Sequence, residues 1–174
     1  MRVLEYLYTL RDLRLTHFFI ATSELGTLFT IGGLTLCIVL FFLLRRKYSY
    51  VAGLVVSVAG SAGIAFIIKE LVHRSRPDVI FRAYSESSFA FPSGHATLAA
   101  AFYGFLIYLV WRLMPTGYRR TVIIFALGLL VALISFSRLY LGIHYLSDVI
   151  AGLLLGGFFA WIGSAVVKKL ERRN

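Results

Sequence analysis

Three short polar stretches interrupt an otherwise oily chain: "KELVHRSRP" at 69–77, "PSGH" at 92–95 and "SRLYLGIHYLSD" at 137–148. Lys69, Arg76 and Arg138 set permanent charge beside apolar runs, where charge is costly and points to a ligand of opposite sign. Phosphate suits this mixture, because arginine offers its oxygens a planar fork of donors and lysine a compact charge. In the second stretch Pro92 restricts the approach to a turn, and Gly94 lets the backbone come close to a ligand. The unpaired N–H groups of a starting helix then face any anion placed there. Ser93 as a simple N-cap accounts for half of this motif but gives the adjacent His95 no role. His144 and Asp148 are four apart, a spacing that on a helix sets both on one face. A carboxylate bonded to one imidazole nitrogen fixes the tautomer and leaves the other nitrogen free to attack.

The elements that would position these groups are membrane-spanning helices. The 174 residues are 59% hydrophobic, with a mean hydropathy of +0.83, beyond the apolar share of a soluble globule. Apolar runs of about 20 residues, enough to cross a hydrocarbon core of about 30 Å, fall near 25–44, 48–68, 93–114, 121–137 and 149–167. Ahead of them Leu4, Leu7, Tyr8, Leu10 and Leu15 alternate with Arg2, Glu5, Arg11, Asp12 and Arg14, the pattern of a helix lying in the interface. The expected architecture is all-α: a polytopic transmembrane helical bundle of about five spans plus an N-terminal interfacial amphipathic helix, forming a single domain over 1–174. The first 16 residues lack an uninterrupted apolar core and a small-residue cleavage site, so the N-terminus is expected to be retained. Cys37 is alone, which excludes an intrachain disulfide.

The net charge of +10 arises from cations gathered at span ends, so the expected partner is the lipid bilayer with its anionic headgroups, and not nucleic acid. Threading five spans puts Arg45, Arg46, Lys47, Arg112, Arg119, Arg120, Lys168, Lys169, Arg172 and Arg173 on one side, cytoplasmic by the positive-inside tendency. All three polar stretches then meet at the opposite, extracytoplasmic end, together with Arg2, Arg11 and Arg14.

That convergence resembles the three-part signature of the type 2 phosphatidic acid phosphatase (PAP2) superfamily: Lys-x6-Arg-Pro, then Pro-Ser-Gly-His, then Ser-Arg-x5-His-x3-Asp. Lys69, Arg76 and Pro77 match the first part, Pro92 to His95 the second, and Ser137, Arg138, His144 and Asp148 the third. The resemblance implies an integral membrane lipid phosphatase of the bacterial inner membrane with its site facing outward. It implies that His144 attacks phosphorus to form a phosphohistidine, that Asp148 orients it, and that His95 protonates the leaving group and later activates water. Lys69, Arg76, Ser93, Gly94 and Arg138 would hold the phosphate oxygens, with no metal and no cofactor required. Candidate substrates are undecaprenyl diphosphate, phosphatidylglycerol phosphate, phosphatidate and lipid A 1-phosphate, with selectivity expected in the loop 78–91. A phosphotransferase using the same phosphohistidine is a close variant, and a non-catalytic lipid-binding or transport protein is the alternative from another class.

The remaining polar residues read more plainly. Arg74 and Arg82 are expected to be ordinary loop charges, His73 a loop or headgroup contact, His17 interfacial, and Glu24 an interfacial carboxylate at the start of the first span. Gly152, Gly156 and Gly163 place small residues along the last span, as close helix packing requires.

Overall fold

The computed structural model describes residues 2–172, which form seven α-helices and one 3-10 turn with no strand among them. They are α1 (Arg2–Thr9), α2 (Leu13–Glu24), α3 (Leu28–Leu44), α4 (Tyr48–Val72), the 3-10 turn Val79–Phe81, α5 (Gly94–Leu113), α6 (Tyr118–Tyr140) and α7 (Leu146–Glu171). Four helices, α4 to α7, are each long and apolar enough to cross a membrane. The pair α2 and α3, bent by 40° at its break, makes a fifth span if counted as one.

The N-terminal half differs in detail from the expectation. The interfacial segment is not one helix, because Asp12 caps a second: its Oδ2 accepts from the N–H groups of Arg14 (3.1 Å) and Leu15 (3.3 Å) and so starts α2. The expected start of the first span near residue 25 falls in a break, and α3 starts at Leu28, where Thr27 Oγ1 accepts from Thr30 N–H (3.3 Å) and restarts the helix. α1 is amphipathic as expected, with Leu4 and Leu7 buried and Tyr6 and Tyr8 exposed. Leu7 packs with Ala96, Leu139 and Val149.

α5 is the axis of the bundle, packed against α4, α6 and α7, and α4 also packs against α7. Glycine makes the close approach of α7 possible. A Cβ at Gly156 would sit 2.2 Å from the Thr97 carbonyl oxygen, and one at Gly163 2.4 Å from that of Gly53. Without a hydrophobic drive between helices in lipid, such backbone proximity supplies the van der Waals contact that holds them. Ser57 adds a hydrogen bond across α4 and α5, its hydroxyl donating to the Ala101 carbonyl at 2.8 Å.

The cations assigned to the cytoplasmic side lie at the end of the bundle away from the three polar stretches, with Arg112 and Glu171 paired at 3.3 Å. Arg173 lies outside the described residues. At the other end α4 stops at His73 in the left-handed region (φ 48°), and the chain turns into the loop leading to α5. α6 stops just before Gly142 (φ 71°), where a Cβ would meet the Phe81 carbonyl oxygen at 1.7 Å. Only glycine tolerates both the dihedral and the crowding, so the 74–93 loop lies directly on the link between α6 and α7.

Candidate active site

Each polar stretch follows or precedes a helix end, and the ends converge. Lys69, in the last turn of α4, donates from Nζ to the Phe89 carbonyl (2.6 Å). Arg76 is clamped by the same loop: Nε donates to the Ser88 carbonyl (2.6 Å), Nη2 to Ser88 Oγ (2.9 Å) and Nη1 to the Ile143 carbonyl (3.1 Å). Arg138, in the last turn of α6, is fully buried, and its Nη1 donates to Ser23 Oγ of α2 and to the Tyr84 hydroxyl. Its Nε and Nη2 have no hydrogen-bond partner. Two donors are thus held ready within a buried, fixed guanidinium.

Ser93 and Gly94 start α5 beside α7. The Ser93 N–H donates to the Asp148 carbonyl (3.0 Å), which ties the second polar stretch to the third. Ser93 Oγ is buried and unpartnered, while nothing lies within 4 Å of where a Gly94 Cβ would stand. Gly94 therefore faces open space.

His144 and Asp148 meet, though not as two residues of one helix. Gly142 ends α6 and α7 begins only at Leu146, so His144 sits on the link ahead of the helix. Asp148 lies in the first turn of α7, and its Oδ2 is 3.6 Å from His144 Nδ1, longer than a hydrogen bond. The carboxylate is busy elsewhere as well: Oδ2 accepts from the Tyr145 N–H (2.8 Å) and Oδ1 from Arg74 Nη1 (2.6 Å). On the opposite edge of the ring, His144 Nε2 lies 3.4 Å from Arg76 Nη1. Burial, with Arg138 and Arg76 adding to it against the pull of Asp148, pushes the imidazole down to about 4. The ring is therefore neutral at physiological pH, with a lone pair available.

A cavity of about 380 Å³ joins these groups. Lys69, Arg76, Gly94, His95 and His144 line it, along with Glu86 and Ser88. Ser93, Arg138 and Asp148 stand fully buried behind this wall. The other end of the cavity is apolar, built from Leu28, Ala62, Ala65, Phe66 and Leu98, and both Leu28 and Phe66 are largely exposed on the bundle's outer surface. Such a space suits a phosphate at one end and a hydrocarbon chain at the other.

Arg74 departs from its expected role as an ordinary loop charge: besides pairing with Asp148 it donates to Ser147 Oγ (2.7 Å) and stacks over the Tyr145 ring at 4.5 Å. Arg82 does stay in the loop, donating to the Pro77 carbonyl (2.7 Å). His73 is exposed against the Phe89 ring, and His17 and Glu24 are exposed on α2. Tyr84, Glu86, Ser88 and Ser23 carry no motif, and nothing in their local sequence distinguishes them from loop or helix-surface polar residues.

Comparison with known proteins gives a consistent outcome. Residues 50–172 match the model of the PAP2 superfamily. Phosphatidylglycerophosphatase B of Bacillus subtilis is 35% identical over 108 residues, which is 61% of this chain and 52% of that protein, so the chain spans about half of that relative's length. Lipid A 1-phosphatase of Rhizobium etli is 33% identical over 177 residues, covering 84% of this chain and 72% of the relative. The crystal structure of a transmembrane PAP2-type phosphatidylglycerolphosphate phosphatase from Bacillus subtilis superposes with a TM-score of 0.89 at 25% identity, over 99% of this chain and 86% of that one.

Proposed function

The chain belongs to the PAP2 superfamily, and from that premise we propose that it is an integral membrane phosphatase that hydrolyses a lipid phosphate through a phosphohistidine. The observation that carries this reading is the buried His144 lying between Asp148 and Arg76 at the polar end of a cavity whose other end is apolar. A lipid would enter past Leu28 and Phe66 with its phosphate leading. Lys69, Arg76 and the free donors of Arg138 would receive the non-bridging oxygens, with Ser93 Oγ and the backbone around Gly94 completing the shell.

In the first step His144 Nε2 forms a bond to phosphorus as the P–O bond to the lipid breaks, and the leaving oxygen takes a proton from His95. In the second, water loses a proton to His95 and attacks the phosphohistidine. The P–N bond then breaks, releasing inorganic phosphate and restoring the imidazole. Fixed cations carry the charge that other phosphoryl-transfer enzymes give largely to Mg²⁺. Among the described residues no three His, Cys, Asp or Glu side chains group as a metal site would require.

Undecaprenyl diphosphate, phosphatidylglycerol phosphate, phosphatidate and lipid A 1-phosphate all present a terminal phosphate on a hydrocarbon anchor. A phosphate-release panel over these four ranks them, and failure to release free phosphate while an alcohol becomes phosphorylated would favour a phosphotransferase. The cations at the far end of the bundle support an extracytoplasmic site.

The test of the mechanism separates the two histidines. With an aryl phosphate, whose leaving group departs without a proton, single-turnover release of the aryl alcohol should persist in His95→Ala and vanish in His144→Ala. General acid catalysis, typically about 10²- to 10⁴-fold, is dispensable for such a substrate, but the nucleophile is not. Equal bursts from both variants, or a burst from His144→Ala alone, would overturn the assignment.

A further inference from the structure

Lys69, Arg76 and Arg138 concentrate three positive charges around the cavity, while Asp148 is already committed to Arg74. One further carboxylate reaches this group. Glu86, in the loop between the 3-10 turn and α5, places Oε1 3.9 Å from Arg76 Nη2 and Oε2 3.6 Å from Arg138 Nη2. Both distances are those of an ion pair and exceed a hydrogen bond. The carboxylate therefore offsets the charge of two guanidiniums without saturating their donors, and Arg138 Nη2 keeps no hydrogen-bond partner. Glu86 also lines the cavity itself, and its side chain is 30% exposed, so it has a path outward.

A phosphate bound to Arg76 and Arg138 would need the space and the charge that Glu86 occupies. We propose that Glu86 is a built-in counter-ion that any incoming phosphate must displace, so that it weakens the hold of the site on every phosphate anion and keeps bulk phosphodiester headgroups and product orthophosphate from occupying it tightly. The inference rests on the phosphatase reading for its purpose, though not for its geometry. A tricationic pocket open to the bilayer faces phosphodiester lipids in large excess, and without a competitor these would fill it. The displacement cost is the same for every anion. A dianion interacts more strongly with the same cations than a monoanion does, and that preference is independent of Glu86. Glu86 thus sets how tightly the site holds any phosphate, product included, and leaves the order of preference among them to the cations.

The common cost gives the test. Orthophosphate is titrated calorimetrically into the full chain in neutral detergent micelles, for the native protein and for Glu86→Gln. Inhibition of phosphate release by dioleoylphosphatidylglycerol is measured in the same micelles, with zwitterionic phosphatidylcholine as the control. Glu86→Gln should bind orthophosphate about tenfold more tightly, the scale expected for removing one competing charge from a partly buried cluster. Inhibition by phosphatidylglycerol should strengthen by the same factor, and phosphatidylcholine should have no effect. Glu86→Asp, whose carboxylate is drawn back by one methylene, should shift both probes in the same direction by a smaller factor, and it serves if the glutamine variant fails to fold. Unchanged or weaker orthophosphate binding in a variant that melts with the native protein would overturn the proposal. So would tighter orthophosphate binding with unchanged inhibition by phosphatidylglycerol. If the native protein releases phosphate from no lipid, the phosphatase reading fails, while the orthophosphate titration and direct binding of phosphatidylglycerol still decide the role of Glu86.

Discussion

Replacing Arg74 by alanine strips a fully buried carboxylate of its charged partner. Asp148 is completely inaccessible, and among the described residues the 2.6 Å contact with Arg74 is its only close ion pair with a permanent cation. Breaking a buried pair from one side costs about 3–5 kcal/mol. The Arg74 side chain is 36% exposed, however, so water can partly replace it, and the expected cost falls to about 2 kcal/mol. Part of that loss reaches the reaction. An unpaired Asp148 relaxes toward its remaining partners, the Tyr145 N–H and His144, and no longer holds the imidazole where the proposed attack requires it. If the whole 2 kcal/mol is lost from the transition state, kcat/KM falls about 30-fold.

The double-mutant cycle makes this refutable. Asp148→Asn already lacks the charge that Arg74 neutralises, so adding Arg74→Ala to it should cost almost nothing more, leaving a coupling of about 2 kcal/mol. Phosphate release and thermal unfolding are measured for the four proteins in one detergent. Additive losses, with a coupling below about 0.5 kcal/mol, would show that the two residues act separately and that the contact does not position His144.

Because burial and the neighbouring cations push His144 down to about 4, its imidazole should stay neutral at pH 5.5, where an ordinary one is about nine-tenths protonated. NMR of ring-labelled histidine, assigned with His144→Asn, reads this directly. The same shift makes folding stability fall as pH drops from about 6.5 to about 4, since in that window the unfolded chain takes up a proton that the folded one refuses. Activity should survive EDTA and be inhibited by vanadate, whose five-coordinate adduct on His144 mimics the phosphorus in flight. Loss on chelation restored by Mg²⁺, or indifference to millimolar vanadate, would contradict the mechanism. Gly142→Ala should lower the melting temperature and most of the activity together, because its Cβ collides with the Phe81 carbonyl at a left-handed dihedral; a variant with native kcat would show that the 74–93 loop is free to move away.

The helices and the motif residues were legible for one physical reason: lipid is the solvent. Spans must be apolar, so Lys69, Arg76, Arg138 and the two histidines show against that background at the span ends where they belong. What stayed hidden is pairing across long chain separations. Arg74 looks in sequence like any loop cation, and its partner is 74 residues away. Glu86 and Tyr84 sit in a polar loop where neither charge nor hydroxyl is unusual. The position of His144 ahead of α7 was within reach, since Gly142 is the residue that commonly ends a helix, yet the i, i+4 spacing to Asp148 argued for helix through both. The contact survives because Asp148 in the first turn of α7 turns back toward the link that precedes it.

The match to the superfamily begins at residue 50, yet part of the site's support lies before it. Arg138 is held by Ser23 of α2, Tyr103 of α5 donates to the Leu25 carbonyl (2.9 Å), and Arg11 Nη2 donates to the carbonyls of Phe81 and Tyr140 (2.8 Å each). Asp12 N–H donates to the Tyr140 hydroxyl as well (3.0 Å). The bonds of Arg11, Asp12 and Ser23 brace the end of α6 and the 74–93 loop from outside the matched region, and that of Leu25 ties the break after α2 to α5. The 40° bend between α2 and α3 follows from that task. Gly26 lies in the break, where a Cβ would strike Ile134 of α6 at 2.6 Å, and the turn lets α2 lean onto α6 and bring Ser23 to Arg138. A straight first span would carry Ser23 away from the guanidinium and leave a buried charge with Tyr84 as its one hydrogen-bond partner, at a cost that a loop hydroxyl alone does not offset.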